Sequence, residues 1–170
     1  MLLFILLVIG TVVLDQLTKC WVLQSLVPIG TYRLWPNVLH FTYVENRGAA
    51  FGMLSEHRWV FMVISTLAIL ALIVYMCVAR PKSRWEIVSL AFIAGGGIGN
   101  MIDRIFRGFV VDFIDVTCIN FYVFNVADSF VCVGCGMMLL CLILAEIDEK
   151  KAMKSAKADA PGRSDDAAGS

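Results

Sequence analysis

Two aspartates stand out for what they lack. Asp112 in "GFVVDFIDV" and Asp128 in "FNVADSFV" are flanked by apolar residues, and neither has a basic partner in the local sequence. A lone carboxylate beside hydrocarbon is costly, so each is a functional candidate by default. Brought within a few ångströms, two such groups cannot both ionise and must share a proton. The ionised member then takes a proton from water while the protonated one donates to a carbonyl oxygen, the arrangement used by aspartic proteases. Such a pair titrates as a unit. Asp128 also suits the positive end of a helix dipole, but Asn125, three residues earlier, serves equally well as the helix cap. Asp115 reads as a solvated loop charge.

Other chemistries find less support. The two histidines, His40 and His57, have no nearby serine or cysteine in a nucleophile motif, and no His/Glu spacing suggests a metal site. No cofactor motif is present. Cys132 and Cys135 form a C-x-x-C inside an apolar helical run, where small residues that let helices pack closely are the simpler reading. Near-zero net charge argues against a nucleic-acid partner.

The elements that must position these residues follow from composition. In a chain of 170 residues, 59% hydrophobic residues against 16% charged is more apolar surface than one soluble domain can hide. A bilayer is the expected solvent. The apolar runs predict an all-α polytopic membrane protein with four transmembrane helices, spanning about 2–23, 59–79, 87–106 and 124–146. The third is rich in glycine, at Gly95, Gly96, Gly97 and Gly99, which permits close helix approach. Arg80, Lys82 and Arg84 in the second connection, and Lys150, Lys151, Lys154, Lys157 and Arg163 in the tail, put both termini in the cytoplasm. Segments 25–58 and 107–123 then face outward. The β-branched and aromatic residues of "RLWPNVLHFTYVENRGAAFG" predict a small extracytoplasmic β-rich subdomain, with Trp35, Phe41 and Tyr43 suited to the headgroup layer. The first run lacks a basic n-region and a cleavage site, and is expected to stay as a span. Residues 1–148 form the membrane-embedded domain, and 149–170, small and polar, read as a disordered cytoplasmic tail.

Five polar clusters, "DQLTK", "ENRGAAFG", "GNMIDR", "VVDF" and "FNVADS", all fall at the outward ends of these spans. Asp15 and Lys19 are four apart and can pair on one helix face. Asn100, Asp103 and Arg104 also share a face. Asp15 with Lys19, and Asp103 with Arg104, read as neutralising pairs that fix helix packing. A small proton-coupled membrane transporter is the alternative, but it calls for carboxylates near the midplane rather than gathered on one side.

In their order, "DQLTK", "ENRGAAFG", "GNMIDRIFRGFVVDF" and "FNVADS" resemble bacterial lipoprotein signal peptidase, or signal peptidase II, over residues 10–145. The resemblance implies an aspartyl endopeptidase of the bacterial cytoplasmic (inner) membrane. Its substrates would be diacylglyceryl-modified prolipoproteins, held among membrane lipids and cut before the lipidated cysteine. It implies Asp112 and Asp128 as the catalytic pair. Asn46, Asn100, Arg104 and Asn125 would hold the substrate backbone and the pair, and Asp15, Lys19 and Asp103 would be structural support. No cofactor and no metal are expected. Family members often carry a proline before "FN", where this chain has Val123.

Overall fold

The computed structural model describes residues 1–48, 58–81, 83–119 and 121–158. Four helices, α1 (Leu2–Ser25), α2 (Arg58–Ala79), α3 (Arg84–Phe106) and α4 (Val126–Ala158), are each long and apolar enough to cross a bilayer. Three strands, β1 (Thr31–Trp35), β2 (Leu39–Asn46) and β3 (Val110–Asp115), form one antiparallel sheet in that order. Ala49, Ala50, Phe51 and Gly52 of "ENRGAAFG", and His57, lie outside the described residues.

Helix α3 is the hub. Of its most apolar stretch 44% is buried, against 6% for α2 and α4, whose exposed Leu, Ile and Val suit contact with lipid. Its first turn begins at Arg84 because the Ser83 side chain accepts the Glu86 N–H as an N-cap, so the helix starts three residues before the apolar run. Hydrocarbon gives helices in lipid no hydrophobic reason to associate, so close backbone contact and polar bonds must hold them. Glycine supplies the contact. A Cβ at Gly96 would collide with the Ala127 carbonyl oxygen, and one at Gly99 would sit 2.6 Å from Asp15 Oδ2. Ser89 adds a buried hydrogen bond to the Gly134 carbonyl at 2.7 Å. In the C-x-x-C stretch the close-packing residue is therefore Gly134, and Cys132 and Cys135 are both exposed.

The sheet caps one end of the bundle. Gly108, at φ +83°, ends α3, where the Arg107 and Gly108 N–H groups both donate to the Asp103 carbonyl. The chain turns into β3, within the outward segment 107–123; its run Val-Val-x-Phe-Ile has strand residues but is too short to stand out in the sequence. Val111 and Phe113 enter a core with Val22, Leu26 and Phe41. Phe41 and Tyr43 pack partly against this core, whereas Trp35 stays exposed. Asp115 ends the strand and accepts a hydrogen bond from Thr42 at 2.8 Å, so it is not a free loop charge. Helix α4 runs to Ala158, ten residues into the expected tail, because Ala, Lys and Glu favour helix and Glu146 pairs with Lys150 one turn on. Residues 159–170 lie outside the described part.

Gly96→Ala should lower stability by about 1–3 kcal/mol, because a backbone carbonyl cannot step aside. Gly97→Ala faces only the tip of Ile69 at 3.3 Å and should be nearly neutral. Thermal unfolding of the two variants in detergent measures the contrast.

Candidate active site

Strand alternation aims Asp112. Val111 and Phe113 point into the core, so Asp112 between them faces the start of α4. The loop from β3 to α4 is fixed by a bridge, with Ile114 N–H donating to Phe124 O at 2.7 Å and Phe124 N–H to Ile114 O at 3.0 Å. This bridge sets the loop geometry immediately after Val123. Asn125 follows as the N-cap of α4. Its Oδ1 accepts the Asp128 N–H at 2.9 Å, and the Asn125 N–H returns to Asp128 Oδ2 at 3.3 Å, a reciprocal capping box.

Asparagine amides join the two carboxylates. Asn125 Nδ2 donates to Asp112 Oδ1 at 2.6 Å and Asn46 Nδ2 to Asp112 Oδ2 at 2.9 Å. Asn100 Nδ2 donates to Asp128 Oδ1 at 2.7 Å, and Asn125 Nδ2 also reaches Asn100 Oδ1 at 3.1 Å. Asn125 thus touches Asp112 with one end of its amide and the Asp128 backbone with the other. A cavity of about 770 Å³ opens on this group. Asn46, Asn100, Arg104, Asp112, Asp128 and Ser129 form its polar wall, and Val44, Val110, Phe121, Tyr122, Val123 and Phe124 its apolar one. Asp112 is buried and Asp128 half-buried. Burial, with the charge of Asp128 added, pushes the Asp112 carboxyl up to about 6, against the hydrogen bonds from Asn46 and Asn125 and the charge of Lys19.

Behind the polar wall lies a second cluster. Lys19 Nζ is 2.8 Å from Asp15 Oδ2 and 3.2 Å from Asp103 Oδ2, with all three side chains fully buried. It also donates to Asn100 Oδ1 at 2.9 Å. The pairing of Asp15 with Lys19 therefore forms as expected, but Asp103 does not pair with Arg104. Adjacent residues point about 100° apart on a helix. Asp103 takes Lys19 and Arg107 instead, while Arg104 turns to the cavity, whose wall it shares with Asp112 and Asp128. Gln16, a member of the "DQLTK" cluster to which the sequence assigns no partner, donates to Asp103 Oδ1 and the Gly99 carbonyl, and Arg107 carries no expectation from the sequence. The i, i+4 spacing of Asp103 and Arg107 was the available signal. Cys132 and Ser129 were also missed as cavity residues. Among the described residues, no group of His, Cys, Asp or Glu is placed to hold a metal ion.

The family described as Signal peptidase (SPase) II matches residues 7–144. The chain belongs to the signal peptidase II family. It is 43% identical to a lipoprotein signal peptidase of Clostridioides difficile, over 87% of this chain and 98% of that one. It is 41% identical to one from Streptococcus pneumoniae, over 85% and 92% respectively. Two solved structures of bacterial membrane enzymes superpose with TM-scores of 0.76 and 0.73 at 31% and 32% identity. Each covers 82% of this chain, which in turn spans 87% and 91% of theirs. This member of the signal peptidase II family is thus a multi-pass bacterial membrane protease with four spanning helices and a small sheet.

In the fold the Asp112 carboxyl binds its proton more tightly than in the unfolded chain, near 6 against 3.8. Its contribution to stability is therefore present at low pH, falls as pH rises from about 4 to about 6, and is flat above. The full span is worth about 3 kcal/mol. Asp112→Asn should remove this slope from the pH dependence of unfolding measured in detergent.

Proposed function

We propose that this protease removes signal peptides from diacylglyceryl-modified prolipoproteins, cutting before the lipidated cysteine with Asp112 and Asp128 as a water-activating pair. The observation that carries the reading is the Asn125 amide bridging these residues at the wall of one cavity. It holds two carboxylates together without neutralising either.

With one proton between them, the ionised carboxylate takes a proton from water as the water oxygen bonds to the scissile carbonyl carbon. The protonated carboxyl gives its proton to the carbonyl oxygen. On collapse a proton passes to the amide nitrogen and the C–N bond breaks. The signal peptide leaves with a carboxyl terminus and the lipidated cysteine with a free amine. Arg104 and Asn46 have donors facing the cavity for peptide carbonyls. A bound apolar peptide excludes water from the pair and strengthens its hold on the single proton.

The aromatic wall of Phe121, Tyr122 and Phe124 suits a substrate whose acyl chains stay in lipid while its peptide enters the polar slot. The cavity lies at the ends of α1 and α3 and the start of α4, opposite the basic connection at Arg80 and Arg84. The positive-inside rule then puts both termini in the cytoplasm and the cavity at the outer face.

Purified protein given a diacylglyceryl-modified prolipoprotein should release its signal peptide. Asp112→Asn and Asp128→Asn should each lower kcat by about 10²–10⁴-fold or more while still folding and inserting. Full activity in either variant would refute the pair, and equal cleavage of the unlipidated precursor would refute the substrate.

A further inference from the structure

The two buried carboxylates behind the cavity share an attachment. Asp15 Oδ1 accepts the N–H of Ala127 at 3.0 Å, and Ala127 immediately precedes Asp128. Asp103 Oδ2 accepts the N–H of Val111 at 3.0 Å, and Val111 immediately precedes Asp112. Each support carboxylate therefore grips the backbone one residue before a member of the pair. Lys19 stands between the two grips, 2.8 Å from one and 3.2 Å from the other. Its remaining contact, 2.9 Å to Asn100 Oδ1, reaches the amide that donates to Asp128.

We infer that Lys19 is a positioning residue that sets the separation of Asp112 and Asp128, by drawing together the two carboxylates that hold their backbones and by fixing the Asn100 amide. The inference rests on the reading of Asp112 and Asp128 as the reacting pair. An ammonium donates three hydrogen bonds and accepts none, so Asn100 must present its oxygen to Lys19 and its nitrogen to Asp128. Without the ammonium, Asn100 Oδ1 keeps only Asn125 Nδ2, and the amide is free to turn its oxygen toward Asp128. Asp15 and Asp103 would also be left as two buried like charges, with only Arg107 on Asp103 and the neutral Gln16 between them. Repulsion would push them apart, and Ala127 and Val111 with them.

A lysine that merely held α1 to α3 would change how much protein folds, and leave each folded molecule unaltered. A lysine that sets the spacing of the pair changes the chemistry of each molecule. Carboxylates held further apart share their proton less, so the two limbs of the pH–rate profile move toward each other. Arg104 from α3 and Asn46 from β2 face the pair directly, and Glu45 and Arg47 line the mouth of the cavity. The hydrogen bonds and ion pairs of Lys19 go to Asp15, Asp103 and Asn100 and to none of these four, so its replacement breaks no polar bond to them.

The test uses the full-length protein in detergent with a diacylglyceryl-modified prolipoprotein. For Lys19→Met, kcat per folded molecule should fall by about 10²-fold, as expected of a misplaced reacting group. KM should stay within about threefold, since ground-state binding is not removed, and the pH limbs should converge. Lys19→Arg keeps the charge and should recover part of kcat. Should Lys19→Met not fold, the triple variant Asp15→Asn, Lys19→Met, Asp103→Asn removes the repulsion while keeping a carbonyl acceptor for Ala127 and Val111. It carries the same expectations. Wild-type kcat and wild-type pH limbs in a folded Lys19→Met or triple variant would overturn the inference. If Asp112→Asn is inactive at the same time, the reacting pair stands and only the role of Lys19 falls. Activity in Asp112→Asn would overturn the pair, and the inference with it.

Discussion

A fully buried ammonium is the constraint to which the rest of the structure answers. Taking Lys19 out of water costs several kcal/mol, which is recovered only if opposite charges and hydrogen-bond acceptors surround it closely. Asp15 and Asp103 do so, and Arg107 balances the second carboxylate. Because these groups come from α1 and α3, the two helices must touch at that depth. Gly99 follows from this, since Asp15 Oδ2 occupies the space a side chain would need. Gly96 follows too, since Asp15 holds Ala127 and so brings the first turn of α4 against α3. In lipid, where apolar contact gives little reason for helices to associate, a polar cluster of this kind decides which helices meet and at what level. Removing one partner would leave an uncompensated buried charge at a cost of about 3–5 kcal/mol.

The choice of asparagine around the two carboxylates is equally physical. Asp112 and Asp128 accept hydrogen bonds from Asn46, Asn100 and Asn125, all neutral. Neutral donors orient a carboxylate yet leave its charge in place for the other carboxylate to feel. A lysine at position 125 could donate to Asp112 but could not accept the Asp128 N–H, and its charge would let both carboxylates ionise. Burial and mutual repulsion raise Asp112 to about 6, while the amide donors keep the shift from growing larger. Arg104 on the polar wall and Arg47 at the mouth add positive charge to the same cavity.

Much of this was legible in the sequence, and the omissions share a cause. Apolar run length placed α2 within a residue, because nothing but span length governs a helix that faces lipid. The polar residues were found because charge is rare in such a chain, so each departure is visible. Partner choice was not legible. Asp103 with Arg104 looked a fair pair by adjacency, yet helix geometry separates them and a lysine 84 positions away wins. Strand β3 was hidden because six residues carry too little periodicity, and its identity depends on β2 offering an edge. The extra turns of α4 come from local helix propensity in residues whose polarity suggested a tail.

The site is a joint between two kinds of structure, and that explains its plumbing. Asp112 and Asn46 stand on the sheet, while Asp128 and Asn100 stand on helices. A sheet capping a bundle and a helix inside the bilayer meet different surroundings and have no intrinsic reason to keep a fixed distance. Proton sharing between carboxylates, however, changes steeply over fractions of an ångström. The distance must therefore be held by something bonded to both sides. Asn125 does this at the level of the two carboxylates, capping α4 while donating to β3. One layer deeper, Asp103 holds β3 at Val111 and Asp15 holds α4 at Ala127, and one buried charge on α1 ties the two. The two layers meet at Asn100 Oδ1, which accepts from both Asn125 and Lys19, so the joint is bonded as one network.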